Sequence, residues 1–423
     1  MDTIEYQRAI ILGLGRAVLN LDQHDSNPYR EIILDACLHN PAHDAQVEGS
    51  RAKYMLEIIQ RSGDLAFFAD AILRSLSDKE DDWNTPQRFG MARLLAQDGY
   101  PGIREAMYSA FRTLEISASD VASEFIELDG IQGALFVIAQ IGSQIAKNPF
   151  KWEDEYLLSL VTDKCGKDAV DSALNVAADN DQNVRAYIAA VEENRRVRAA
   201  IQKPDPSDMT YIQIRSSIEA NKAAGALRKW AQTATDSDLE CAARDLVQET
   251  DPGKLKSYLT IFRNKRFPLD TNYLLRLVGQ PEGPIARHAL SALACVDADE
   301  VRRLAFSLVE MGSPLRAYAI DLLVKNFHNG DHIVVEGWCI AEQDADIVNA
   351  LDRSHRDFFG VNPNPDSEKR ILRVLYEKEP CAHCRNYIVE RLIELDALPD
   401  ELGLECKHDS YAETRELVKG RVN

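Results

Sequence analysis

Cys381 and Cys384 stand three apart in PCAHCRNYIVERL, and Cys406 and His408 follow in LECKHDS. Written as a ligand spacing this is C-x2-C-x21-C-x-H. Thiolates and imidazole bind zinc well, and four such donors suit its tetrahedral shell. The same pair admits redox exchange. Pro380 favours a helix start, which puts Cys381 in a first turn, where the helix N-terminus lowers a thiol pKa. A third reading is structural. Cys381, Cys384, Ile388, Leu392 and Leu395 run i, i+3, i+7, i+11, i+14 along one helical stripe, and Cys406 lies four after Leu402. Zinc sites usually hold one Cys pair in a tight non-helical knuckle, and thioredoxin-like exchange uses a strand feeding the helix. The stripe therefore favours packed thiols. Cys381, Cys384, Cys406 and His408 remain the metal candidates, and zinc is the one cofactor the sequence raises.

Basic side chains form a second candidate set. Residues 181–270 hold 15 Lys and Arg against 13 Asp and Glu, in a chain whose formal charge is −19. ENRRVRAAIQK and YLTIFRNKRF concentrate Arg195, Arg196, Arg198, Arg263, Lys265 and Arg266. Such a patch could hold a nucleic-acid backbone, although the overall negative charge repels one. The competing account is a helix face with internal pairs such as Glu192 and Arg196 at i, i+4. GLGRAV at 13–18 places Val18 where a dinucleotide loop needs its third glycine, and no strand precedes it, so it reads as a helix interior with two small residues. No phosphate-loop motif and no H-E-x-x-H is present. SDKEDDWN at 77–84 reads as a solvated turn rather than a magnesium site, and His39 and His43 as solvated loop histidines.

The elements that position these residues are helices. At 423 residues the chain exceeds one ordinary core, so several domains or one elongated repeat array is expected. Hydrophobic content of 45% with 28% charged residues excludes global disorder. The opening MDTIEYQRAI lacks a basic, cleavable leader, and the run GALFVIAQIG is too short for a membrane helix, so a cytoplasmic location is expected. Eight scattered cysteines suit reduced, buried thiols. In SPLRAYAIDLLVKNF, Leu315, Tyr318, Ala319, Leu322, Leu323 and Phe327 make one helical stripe, with Ser313 as cap and Pro314 at the first position. GPIARHALSALA and SPLRAYAIDLLV align at an offset of 30, bringing Ala289 opposite Ala319, Leu290 opposite Ile320 and Leu293 opposite Leu323. Arg-x-Tyr recurs at Arg185, Arg316 and Arg385, which points to packing between repeats, with the tyrosine on the apolar stripe and the arginine bonding turn carbonyls. A period of this size with two helices per unit marks an all-α solenoid.

DEVRRLAFSLVEMGSPLRAYAIDLL resembles HEAT and armadillo repeats: an acid-x-Val-Arg step, small residues in mid-helix and a following antiparallel helix. The final PCAHCRNYIVERLIELDALPDELGLECKHDS resembles the end of bacterial HEAT-like proteins of no assigned activity. The resemblance implies a right-handed superhelix of antiparallel helix pairs. Prolines in IQKPDPSDM and NPNPDSE divide it into an N-terminal repeat segment at 1–200, a C-terminal segment at 207–361 and a Cys-containing cap at 366–423. The function expected of that shape is a non-catalytic scaffold for a protein partner. The alternatives are a nucleic-acid-binding or DNA-repair-type HEAT-like enzyme with a basic groove near residues 185–266, and an adaptor switched by zinc or redox through the C-terminal cysteines.

Overall fold

The computed structural model describes residues 1–78, 83–113, 118–148, 153–201, 205–221, 224–279 and 283–421. Parts of the acidic stretch 77–84 and of the stretch 201–209 lie outside them. Among the described residues there are 27 α-helices, four short 3-10 helices and no strand. None of these helices is long and apolar enough to cross a membrane. The chain divides into two units. One comprises Met1–Gln202, Cys381–Glu390 and Leu398–Asn423, the other Lys203–Pro380 and Arg391–Ala397.

In the first unit alternate helices stack. Thr3–Leu12 packs on Arg30–Leu38, which packs on Ala52–Arg61, then Asn84–Gln97, then Ala118–Asp129. Amphipathic spacing drives this: Ala52–Arg61 buries Tyr54, Met55, Ile58 and Ile59 and leaves its other face polar. The run GALFVIAQIG lies in Ile131–Lys147, where Gly142 lets Gln182–Ala200 approach backbone to backbone. A Cβ at Gly142 would stand 1.8 Å from the Asn183 carbonyl oxygen.

GLGRAV is a helix junction rather than a helix interior. Gly13 ends Thr3–Leu12 in the left-handed region at φ 70°, and Gly15 opens Arg16–Asn20. Both abut the C-terminal residues. A Cβ on Gly15 would lie 1.9 Å from the Glu405 carbonyl oxygen, and one on Gly13 would lie 2.0 Å from Ser410 Oγ. The Ser410 N–H donates to the Gly13 carbonyl at 2.9 Å. Arg385 and Asp409, both 0% exposed, pair at 3.1 Å, and Arg385 also reaches the Gly13 carbonyl at 3.4 Å. Arg16 pairs with Glu405 at 2.8 Å, and His408 Nδ1 meets Glu57 at 2.7 Å. The tail is thus a packed part of the first unit's core.

The second unit stacks in two rows. Ala224–Thr233 packs on Pro252–Ile261, then Pro284–Leu293, Ala319–Leu323 and Ala345–Val361. In the other row Tyr211–Glu219 packs on Asp236–Gln248, and Asp331–Ala341 on Pro365–Lys378. Thr210, Thr235, Asp251, Asp344 and Asn364 cap helix starts with their side chains. The residues that the offset of 30 aligns, Ala289, Leu290, Leu293, Ala319, Ile320 and Leu323, are all fully buried. SPLRAYAIDLLVKNF forms only a 3-10 turn at Arg316–Tyr318 and a helix at Ala319–Leu323. Asn326 closes it early, donating to the Leu322 and Val296 carbonyls and accepting the Ala298 N–H. In all three Arg-x-Tyr copies the arginine donates to a turn carbonyl: Arg185 to Asp179, Arg316 to Ser313, Arg385 to Gly13.

His355 is fully buried in the second unit, and neither ring nitrogen has a hydrogen-bond partner. Burial, with Arg356 and Arg391 nearby, pushes its pKa down to about 3. Below pH 6.5 the unfolded chain takes up a proton here that the folded chain refuses, so this residue erodes stability as pH falls from 6.5 towards 3. Burial raises Asp321 and Asp352 to about 6, and those two act in the opposite sense over the range from 6 down to the ordinary carboxylate value.

Three substitutions test this packing. Asp409→Ala removes the carboxylate that neutralises the buried Arg385, and urea unfolding is expected to show a loss of about 3–5 kcal/mol. Arg196→Ala, at an exposed pair, should stay within about 0.5 kcal/mol. His355→Leu removes two unsatisfied buried nitrogens at similar volume and should raise stability at pH 7 by about 1–3 kcal/mol. Its advantage over wild type should grow by about 1.4 kcal/mol per pH unit below 6.5. A pH-independent difference would mean that the His355 ring is protonated inside the fold.

Candidate functional site

The structure places the six sequence-predicted basic residues in two settings. Arg195, Arg196 and Arg198 lie near the end of Gln182–Ala200 in the first unit and are paired. Arg195 bonds Glu155, Arg196 bonds Glu193 at 2.7 Å, and Arg198 lies 3.7 Å from Asp154. The pairs are solvent-exposed, so the charges are locally neutralised at little gain in stability. Arg263, Lys265 and Arg266 belong to the second unit, in and after the 3-10 turn Phe262–Asn264. Lys265 Nζ donates to the Gln232 carbonyl at 3.3 Å, and Arg266 is exposed.

Arg263 is the member with company. It is partly buried, and burial lowers its pKa, with the charges of Arg353 and Arg228 adding to the effect. His288 is lowered by burial and then by Lys256, Arg263 and Arg228. Asp321 carries the one carboxylate in this group that is both partly buried and shifted: burial lifts it to about 6 while Ser354, Arg353 and Arg263 pull it back. Asp357 adds a second negative charge beside it. Among the described residues no ion pair engages Arg228, Lys256, Arg263 or Arg353, whereas most arginines of this acidic chain are paired. Arg228, Lys256 and Arg353 are exposed.

These residues come from one row of stacked helices. Arg228 is on Ala224–Thr233, Lys256 on Pro252–Ile261, His288 on Pro284–Leu293, Asp321 on Ala319–Leu323 and Arg353 on Ala345–Val361. Arg228, Lys256 and His288 are each the fifth residue of their helix, whereas Asp321 is the third and Arg353 the ninth residue of theirs. Arg228, Lys256, His288, Asp321 and Arg353 were missed in the sequence because basic runs were the criterion. One charged residue per helix at the repeat interval was the signal available. Cations held near one another without a direct ion pair repel, and an arriving anion relieves that repulsion, which makes this row the strongest candidate binding surface.

The C-terminal cysteines are positioned as core. None of the eight cysteines is in a disulfide. Cys381 precedes the helix Ala382–Glu394, and its Sγ accepts the Cys384 N–H at 3.5 Å, as an N-cap side chain does. Cys381 and Cys406 are buried, as are Ile388 and Leu392 on the expected stripe. The sulfurs of Cys381 and Cys384 and a carboxylate oxygen of Glu379 lie within 4.8 Å of one another, but Cys406 and His408 do not join them. His408 turns Nδ1 to Glu57 instead. Burial pushes the Cys339 thiol up to about 12, and Cys295 is also raised, which removes nucleophilic character from both.

No protein-family model and no curated protein sequence matches the chain. One of the solved structures that it matches is the crystal structure of an engineered protein, at 13% identity over 96% of this chain and 97% of that one. The TM-score is 0.19, at which the likeness carries no argument about this chain.

Elemental mass spectrometry of the purified chain, with thiols alkylated after denaturation, checks the cysteine reading. Packed thiols give no bound zinc and eight alkylated cysteines per chain. About one zinc per chain, lost together with affinity for metal in Cys384→Ala, would make the tail a metal clamp.

Proposed function

We propose that the chain is a HEAT/armadillo-like helical-repeat protein acting as a non-catalytic scaffold for a protein partner in the cytoplasm. The observation that carries this reading is the alternate-helix stacking, in which residues 30 apart fill equivalent core positions. A helix pair cannot bury its apolar face alone, so neighbours share one core and leave a continuous row of helix faces for a ligand. In the second unit that row holds unpaired cations, suited to an acidic partner.

A second reading, nucleic-acid binding, draws on the same cations together with Lys265 and Arg266. The carboxylates Asp321 and Asp357 within the row, and the chain's charge of −19, weigh against it. A redox- or zinc-responsive adaptor through Cys381 and Cys384 is a third reading, and the burial and capping role of Cys381 weigh against it.

Native mass spectrometry of the protein isolated from its own cells tests the scaffold. The expected species is a stoichiometric complex with another protein that dissociates as salt is raised. Sub-micromolar, salt-dependent binding of duplex DNA, with no protein complex, would replace the scaffold with the nucleic-acid reading.

A further inference from the structure

We propose that the row Arg228, Lys256, Arg263, His288 and Arg353 docks an extended, carboxylate-rich segment of a partner protein. This rests on the scaffold reading and adds the chemistry of its partner. Three features of the row argue for it.

The first is register. Arg228, Lys256 and His288 are each the fifth residue of helices that pack in succession, and Arg353 lies on the next helix but one of the same row. Packed helices lie about 8–10 Å apart. A polyproline II segment advances about 3.1 Å per residue with three residues per turn, so every third side chain faces the same way about 9 Å on, at the next helix. Nucleic acid presents a charge per about 1.7 Å of duplex, far denser than one cation per helix can neutralise.

The second is composition. Three of the five groups are arginines, whose planar fork takes a carboxylate through two parallel hydrogen bonds. Arg228, Lys256 and Arg353 are exposed and have no ion pair among the described residues. The polar contacts that do exist around Asp321, to Ser354 and beside Arg353 and Arg263, set a carboxylate inside the same row. A side chain of that kind is already accommodated there, and it competes with an incoming acid for the same two arginines.

The third is the pH response this creates. Groups facing Asp321 are Ser354, Asp357, Arg353 and Arg263, and those facing His288 are Lys256, Arg263 and Arg228. Asp321 loses its charge near pH 6, and His288 gains one as pH falls further. Both changes make the row more positive, so an acidic ligand binds more tightly at pH 6 than at pH 7.5.

Fluorescence anisotropy with a labelled twenty-residue poly-glutamate peptide tests this on the full chain, beside a duplex DNA of equal length. Arg228→Glu with Arg353→Glu, both at exposed positions, should weaken peptide binding by about tenfold or more and leave the melting temperature unchanged. Arg195→Glu with Arg198→Glu in the first unit should leave it unaltered. Lowering pH from 7.5 to 6 should tighten wild-type binding about threefold, and Asp321→Asn should abolish most of that response. Equal peptide affinity for wild type and the Arg228/Arg353 variant overturns the proposal, as does tighter binding of DNA than of peptide. If the protein complex isolated from cells survives in that variant, this surface is wrong and the scaffold stands. If neither peptide nor any protein binds the wild type, both readings fall.

Discussion

The first unit depends on how one buried ion pair meets one carbonyl. Arg385 and Asp409 are both 0% exposed, and a charge taken out of water costs several kcal/mol unless its donors and acceptors are matched. Here they are matched. Asp409 accepts Arg385 through two nitrogens and the Tyr411 N–H at 2.8 Å. Burial still drives its carboxyl upward, with Arg385 pulling it back. Arg385 also reaches the Gly13 carbonyl, where Ser410 donates a backbone hydrogen bond. Arg51, 2% exposed, covers the Ile10 and Ile11 carbonyls and pairs with Glu48 at 2.6 Å. The last carbonyls of Thr3–Leu12 are therefore held by two buried guanidinium groups and a backbone N–H. Cations at the negative end of a helix are favourable, and a helix end buried without partners is not. The glycines at 13 and 15 exist to let the tail come this close.

The second unit shows a different economy. Several of its arginines are tied to carboxylates: Arg302 to Asp331, Arg316 to Glu342 and Arg391 to Glu368. These pairs staple successive helix pairs and leave no net field. The row through Arg263 departs from that rule, which is why it carries the functional reading.

How much of this was legible beforehand divides by range. Local order was readable. The helical stripes, the caps and the offset of 30 follow from periods of 3.6 and of one helix pair, and Ala289 and Ala319 are both fully buried as the alignment requires. Departures came where a distant residue decides a local conformation. GLGRAV reads as helix interior until Glu405 and Ser410, nearly 400 residues on, are brought against it. The helix at Ala319–Leu323 is cut short by the amide of Asn326, which bonds a carbonyl of the preceding pair. Among the site residues, Arg263 was visible in a basic run, but the same criterion selected Arg195, Arg196 and Arg198, which are paired. Lys256 and Arg353 stand alone in sequence and acquire meaning only when stacked. Cys381 and Cys384 followed the helical stripe, and their spacing gave no sign that Cys381 would cap the helix.

The central structural claim is that the C-terminal residues and the first helices form one cooperative body through Arg385, Asp409 and Gly13. Native-state hydrogen exchange measures this directly. Amides in Thr3–Leu12, in residues 382–390 and in Asp400–Cys406 should open with a common free energy and a common dependence on denaturant. Early, independent exchange of residues 398–421 while Thr3–Leu12 stays protected would contradict it.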